Sequence, residues 1–63
     1  MIKTIYKEGQ IVKFKINNII KEGIILIVDK YGTFEQNKEP SYDIMVTEEN
    51  TMYKHIIQSM IVN

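Results

Sequence analysis

Within residues 11–16, whose sequence is IVKFKI, apolar and polar residues alternate from Val12 to Ile16. The alternation separates an apolar set from a basic set, namely Val12, Phe14 and Ile16 from Lys13 and Lys15. A period of two residues predicts a strand with one buried face. The lysines are therefore expected on the solvent side of this strand.

Asn17 and Asn18 follow this strand and favour a turn, because asparagine tolerates turn conformations. The next residues, up to Gly23, are mostly polar and predict a loop. Ile19 and Ile20 interrupt that loop, so we expect one of them to pack inward.

Residues 24–29, IILIVD, form a β-branched run without alternation, which is typical of a strand covered on both faces. We expect alternate residues to fill the core, and these are Ile24, Leu26 and Val28. Ile25 and Ile27 would then lie outside. An exposed isoleucine pair marks a contact surface, unless residues 1–6 of the same chain cover it.

Residues 30–41 form the longest polar segment, and they contain Tyr31 and Phe34. Aromatic side chains in a loop favour partner binding. The alternative is that Phe34 tucks beneath the loop as a lid on the core.

Residues 42–62 contain the remaining predicted elements. Residues 42–47 and 51–56 form paired strands joined by an acidic turn at 48–50, where Asn50 suits a positive φ. The first of these strands alternates again, with Tyr42, Ile44 and Val46 in one set. One helical turn at 57–59 then precedes a closing strand at 60–62.

Short strands, polar turns and almost no helix predict an all-β sandwich or barrel. At 63 residues the chain is expected to be a single domain, 1–63, and the economical form is an antiparallel five-stranded barrel, since closure limits exposed edges. Residues 1–9 are expected to form an edge strand or an arm.

The C-terminal half supports a resemblance to a family. Its pattern is residues 42–46 (YDIMV), an acidic turn, Tyr53-Lys54-His55 and then Ile61, preceded by Gly23-Ile24-Ile25. This pattern resembles SH3-like barrel proteins from phages and prophages of low-GC bacteria, of the YorP-like kind. The resemblance covers about two thirds of the chain and implies an SH3-like barrel, but it transfers no catalytic residue.

Composition narrows the chemistry that the chain can support. There is no cysteine and one histidine, so disulfides are excluded and no metal site or cofactor is expected. His55 is expected at the barrel rim, hydrogen-bonded to backbone. Glu48, Glu49 and Asp43 could imitate a catalytic carboxylate pair. The two acids at the hairpin tip, Glu48 and Glu49, are expected to be solvated, which does not support acid–base catalysis. We therefore predict that the protein is not an enzyme.

Net charge is zero but unevenly distributed: residues 1–30 carry +3 and residues 31–63 carry −3. Such a dipole favours association, although an ordinary solvated surface would give the same count. The N-terminus has no apolar run of signal-peptide length, and no segment is long enough to span a bilayer. The expectation is a cytoplasmic protein without membrane contact.

Three functional readings remain open. The first is a non-catalytic protein-binding module of phage or mobile-element origin, acting as an inhibitor of a host defence protein. Its contact residues would be Tyr31, Phe34, Tyr42, Glu48, Glu49, Ile25 and Ile27. The second is nucleic-acid binding through Lys3, Lys7, Lys13, Lys15 and Lys21, which would contact phosphates as point charges. The third is a homodimer or higher oligomer that encloses a small ligand.

Overall fold

The computed structural model describes residues 4–30 and 39–62. These residues form an antiparallel sheet of four strands in the order β1-β2-β3-β4. The strands are β1 (Ile11–Ile16), β2 (Ile19–Asp29), β3 (Ser41–Val46) and β4 (Thr51–Ile57), and 3₁₀ turns occupy Thr47–Glu49 and Gln58–Met60. The all-β prediction is confirmed at this level.

The predicted closing strand at 60–62 is reduced to a single bridge. The second 3₁₀ turn extends to Met60, one residue beyond the prediction, so only the next residues can pair. Ile61 bridges Phe14 antiparallel, and the Val62 N–H donates to the Lys13 carbonyl at 2.9 Å. The chain end thus returns to β1 without a fifth strand among the described residues.

The predicted edge strand over residues 1–9 is not seen in its described part, residues 4–9. Residues 9 and 10 are instead held against β2. The Gly9 N–H donates to the Ile25 carbonyl at 2.7 Å, and the Ile25 N–H donates to the Gln10 carbonyl at 2.9 Å.

The β1–β2 hairpin turns at Asn17 and Asn18, as predicted. Their φ angles are 51° and 64°, the combination that a two-residue hairpin turn of type I′ requires. Because the turn is so tight, Ile16 pairs directly with Ile19. The predicted loop from Ile19 to Gly23 is therefore wrong, and these residues belong to β2.

A β-bulge in β2 reverses the predicted burial of its isoleucines. Ile25 pairs with Ile44 and Ile27 pairs with Asp43, so Leu26 is an extra residue without a partner. Ile25 is fully buried, whereas Leu26 is 37% and Ile27 is 52% exposed. The prediction was wrong for Ile24, Ile25 and Leu26 because it assumed unbroken alternation. It was right that Val28 packs on the core and that Ile27 lies outside.

The core lies on one face of the sheet and receives alternate residues from all four strands. Its members in the described part of the chain are Val12, Phe14, Ile25, Tyr42, Ile44, Val46, Ile56 and Ile61. The Tyr42 hydroxyl donates to Gln58 Oε1 at 2.5 Å, and its ring meets the edge of Tyr6 at 5.7 Å between centroids. Burial raises the pKa of Tyr42, so it stays a neutral donor.

The β3–β4 connection combines the first 3₁₀ turn with a left-handed residue. Asn50 has a φ of 50°, as predicted, and its N–H donates to the Thr47 carbonyl at 3.1 Å. The Thr51 hydroxyl donates to the Glu49 carbonyl at 2.9 Å. These bonds satisfy backbone groups that the turn would otherwise leave unpaired.

A second bulge lies in β4 at His55. Tyr42 pairs with Ile56 and Ile44 pairs with Tyr53, so one β3 residue, Asp43, faces two β4 residues. His55 adopts a φ of 60°, and its backbone N–H donates to Asp43 Oδ1 at 3.1 Å. The side chain of His55 is exposed, so its observed contribution to the fold is through its backbone.

The backbone of β2 approaches β3 closely at Gly23, which gives a first prediction. A Cβ at this position would lie 2.5 Å from the Met45 carbonyl oxygen and 2.7 Å from Ile44 Cγ2. The oxygen belongs to the backbone, so Gly23→Ala is expected to lower the free energy of unfolding by about 2–3 kcal/mol. Urea unfolding followed by circular dichroism measures the change.

The matched control is Gly9→Ala, which meets no atom within 4 Å but has a φ of 88°. It should lose only about 1 kcal/mol, from its left-handed backbone. Equal losses for the two variants would contradict a steric role for Gly23.

The bulge at His55 gives a second prediction. Glycine relieves about 1–2 kcal/mol of left-handed strain but has a more mobile unfolded state, so His55→Gly should stabilise the protein by about 0.5–1 kcal/mol. Lys54→Gly, one residue earlier and outside the left-handed region, should destabilise it by a similar amount. Thermal unfolding of both variants gives the signs, and destabilisation by His55→Gly would refute the assignment of strain.

Candidate interaction surface

A row of apolar side chains crosses the face of the sheet that points away from the core. Cross-strand partners share a face, and successive partners in this row are Ile11, Ile24, Met45 and Met52. We call these four residues the apolar row. Ile11 is 63% exposed, and the other three are half-buried. The outer face of an antiparallel sheet is normally polar, so a row of this kind requires an explanation.

Charged residues flank the apolar row on both sides. Toward the hairpin turns, Lys13 lies opposite Glu22, and Lys15 lies opposite Ile20. Toward the other end of the sheet, Ile27 lies opposite Asp43. The outer face is therefore mixed, because charged residues border the row while Ile20 and Ile27, 59% and 52% exposed, extend the apolar surface beyond it.

A groove of about 230 Å³ lies along the row. Its lining residues are Ile11, Glu22, Gly23, Ile24, Met45 and Thr47. Sites for small molecules usually occupy about 300–1,000 Å³ in concave pockets. The groove is thus small for a cofactor and suits a side chain presented by another protein.

The predicted protein-binding residues are only partly brought to this surface. Ile25 and Tyr42 are fully buried, so neither can contact a partner, and both predictions are wrong. Both side chains belong to the core face of the sheet. Ile27 is exposed beside the row, and Tyr31 and Phe34 lie outside the described residues.

Glu48 and Glu49 are exposed in the β3–β4 turn, as predicted, but Glu49 is engaged within the protein. Its carboxylate accepts hydrogen bonds from Lys21 Nζ at 2.5 Å and from the Tyr53 hydroxyl. Lys21 Nζ lies 5.6 Å from the centre of the Tyr53 ring, and that ring meets the edge of Phe14. This cluster ties the turn to β2 and β4.

The cluster shifts all three titrating groups in consistent directions. The hydrogen bond from Lys21, with that from Tyr53, lowers the pKa of Glu49. The hydrogen bond to Glu49 raises the pKa of Lys21 and that of Tyr53. Each shift favours the protonation state that makes the hydrogen bonds, namely a charged Glu49, a charged Lys21 and a neutral Tyr53. The cluster is therefore held together across the neutral pH range.

The lysines predicted to bind nucleic acid do not form one patch. Lys13 and Lys15 are exposed on the outer face, where Lys13 lies opposite Glu22. Lys21 is neutralised by Glu49 on the side of the sheet that carries Phe14. Lys7 is exposed in the segment before β1, and Lys3 lies outside the described residues.

Within residues 4–30 and 39–62, no three His, Cys, Asp or Glu side chains come together as a metal site would require. The helical segments described there are single turns, and none is long and apolar enough to cross a membrane. Comparison with protein-family models, curated proteins and solved structures finds no match to this chain.

Sequence reasoning missed the apolar row because its members belong to four different strands. Met45 lies between members of the set formed by Tyr42, Ile44 and Val46, and Ile11 precedes the alternation that begins at Val12. The available signal was an apolar residue at an outward position in each strand. Only the pairing register shows that these positions are neighbours.

The cluster around Glu49 gives a third prediction. Since the folded-state pKa of Glu49 is lowered, its contribution to stability is present above the unfolded-state pKa and is lost as pH falls through the folded-state value. Glu49→Gln should therefore be less stable than the wild type near pH 7, and the difference should shrink below about pH 4. Urea unfolding across pH 3 to 7 measures it (about half-unit steps suffice).

Glu48→Gln is the matched control, because Glu48 is an exposed carboxylate in the same turn. It should retain the acid-dependent loss of stability seen in the wild type. A Glu49→Gln variant with the full wild-type pH dependence would contradict the proposed coupling.

Proposed function

We propose that this protein is a non-catalytic protein-binding module that contacts its partner through the apolar row. The observation that carries the proposal is the position of Ile11, Ile24, Met45 and Met52 on the solvent face of the sheet. Exposing such a row costs free energy unless another surface covers it. Two of its members are methionines, whose flexible side chains adapt to a partner.

The distribution of charge supports a protein partner over nucleic acid. Nucleic-acid binding needs a continuous basic surface, because affinity comes largely from phosphate contacts. Here Lys21 is paired with Glu49, and Lys13 faces Glu22. Phe14, the aromatic residue nearest these lysines in β1, is buried and cannot stack on a base.

The return of the chain end to β1 supports the finer proposal of an SH3-like barrel. The bridge from Ile61 to Phe14 joins the last described residues to the first strand of the sheet. The resemblance to YorP-like proteins alone is the basis for proposing a phage or mobile-element origin and a cytoplasmic site of action. We extend the proposal to inhibition of a host defence protein on the basis of that resemblance.

A fourth prediction tests the binding surface by affinity capture. Tagged protein is incubated with bacterial lysate, with and without nuclease, and bound proteins are identified by mass spectrometry. Ile11→Lys should reduce the amount of captured partner protein at least about tenfold, because it places a charge in the apolar row. Recovery by the wild type should be unchanged by nuclease.

Ile19→Lys is the matched control, since Ile19 is 56% exposed in the same hairpin but lies outside the row. It adds the same charge and should capture the partner normally. Equal capture by both variants, with the fold intact by circular dichroism, would refute the surface. Recovery that disappears with nuclease would instead support nucleic-acid binding.

A further inference from the structure

We propose that the groove along the apolar row binds an arginine side chain that projects from a partner protein. This inference rests on the proposed function, because the groove belongs to the same surface, and it adds the chemistry of the partner residue. It follows from the curvature of the sheet, from the lining of the groove and from a carboxylate at one end of it.

The sheet curves round its core, which limits how a partner can reach the outer face. Core residues from all four strands lie on one side of the sheet. The bridge from Ile61 to Phe14 brings the chain end back to the first strand. The outer face is therefore convex, and a projecting side chain that enters a groove gains contact that a flat partner surface would not.

The groove has an apolar part and a polar end. Ile11, Ile24 and Met45 supply the apolar part. Two residues further along each strand from the Ile24–Met45 pair are Glu22 and Thr47, which also line the groove. Residues two apart in a strand share a face, so the carboxylate and the hydroxyl lie together beyond the apolar part.

The charge at the polar end is not neutralised by an internal ion pair. Glu49, in the neighbouring turn, is engaged by Lys21 Nζ at 2.5 Å. Within residues 4–30 and 39–62, by contrast, the Glu22 carboxylate has no ion pair or hydrogen bond. Lys13 lies opposite Glu22 in β1, but it is not among the residues that line the groove. A cation that enters the groove therefore meets a carboxylate.

Arginine combines the features that this lining selects. Its aliphatic stem packs along apolar surface while its charged head stays in contact with polar groups. The planar guanidinium donates two parallel hydrogen bonds to one carboxylate, here that of Glu22, and a hydroxyl such as that of Thr47 accepts a further one. A guanidinium is also more weakly hydrated than the ammonium of lysine, so it loses less on leaving water.

The size and exposure of the groove set the expected strength. Its volume of about 230 Å³ accepts one side chain rather than a larger ligand. Exposed ion pairs contribute modestly, because water and salt screen them. We therefore expect a short arginine peptide to bind with a dissociation constant of about 1–10 mM, to which the rest of a partner surface would add.

Titration of the isotope-labelled chain with capped glycine pentapeptides, followed by nuclear magnetic resonance, tests the proposal. The central residue is either arginine or citrulline, which has nearly the same shape but no charge. The arginine peptide should shift the amide signals of Ile24 and Met45, and the citrulline peptide should bind about fivefold more weakly. Equal binding of the two peptides, or no shift of these signals up to about 50 mM arginine peptide, would overturn the proposal.

Two variants assign the preference for arginine to its carboxylate. Glu22→Gln should weaken binding of the arginine peptide about fivefold, to the level of the citrulline peptide, and should leave the citrulline peptide unaffected. Glu48→Gln is the matched control, because Glu48 is an exposed carboxylate that does not line the groove. It should keep the preference for arginine. Loss of the preference in both variants, or in neither, would overturn the role of Glu22.

The lysate capture described above separates this inference from the proposed function. Capture that depends on Ile11, with no preference for the arginine peptide, would overturn the inference and leave the proposed function standing. If the arginine peptide binds as expected but Ile11→Lys captures the same protein as the wild type, the inference stands and the proposed surface for that protein fails.

Discussion

The structure depends most on the close pairing of β2 with β3 at Gly23. Only a residue without a side chain allows the backbone of β2 to approach the Met45 carbonyl in this way. The approach fixes Ile24 opposite Met45, and this pair is the centre of the apolar row. It also directs Ile25 and Ile44 together into the core. The close approach at Gly23 therefore sets the pairing of residues on the outer face and in the core alike.

Much of the fold was predictable where the signal is local. Alternation in β1 and β3 identified the buried sets correctly, because side chains in a regular strand change face at every residue. The asparagines at both hairpin turns were also identified, since a positive φ is tolerated by few residues other than glycine. These inferences need only neighbouring residues in the sequence.

The remaining features depend on distant residues, and the sequence does not encode them locally. The bulge at Leu26 arises from the pairing of β2 with β3. A sequence analysis that does not include this bulge assigns the residues of β2 before it to the wrong face of the sheet. Tyr42 was predicted to contact a partner, but its ring is enclosed and its hydroxyl is held by Gln58. The apolar row required the register of all four strands. The candidate site was therefore less predictable than the fold.

The two bulges lie on either side of the same residue, Asp43, one in β2 and one in β4. Around Asp43, the paired stretch of β3 contains one residue fewer than the stretch of β2 or of β4 that lies opposite it. Inserting one residue between Asp43 and Ile44 would bring β3 into step with both strands and would remove both bulges. It would also turn half of the sheet over, because a shift of one residue exchanges the faces. Tyr42 would point to solvent and Asp43 into the core. An insertion that completes the hydrogen-bond ladder at this point is therefore expected to destabilise the fold.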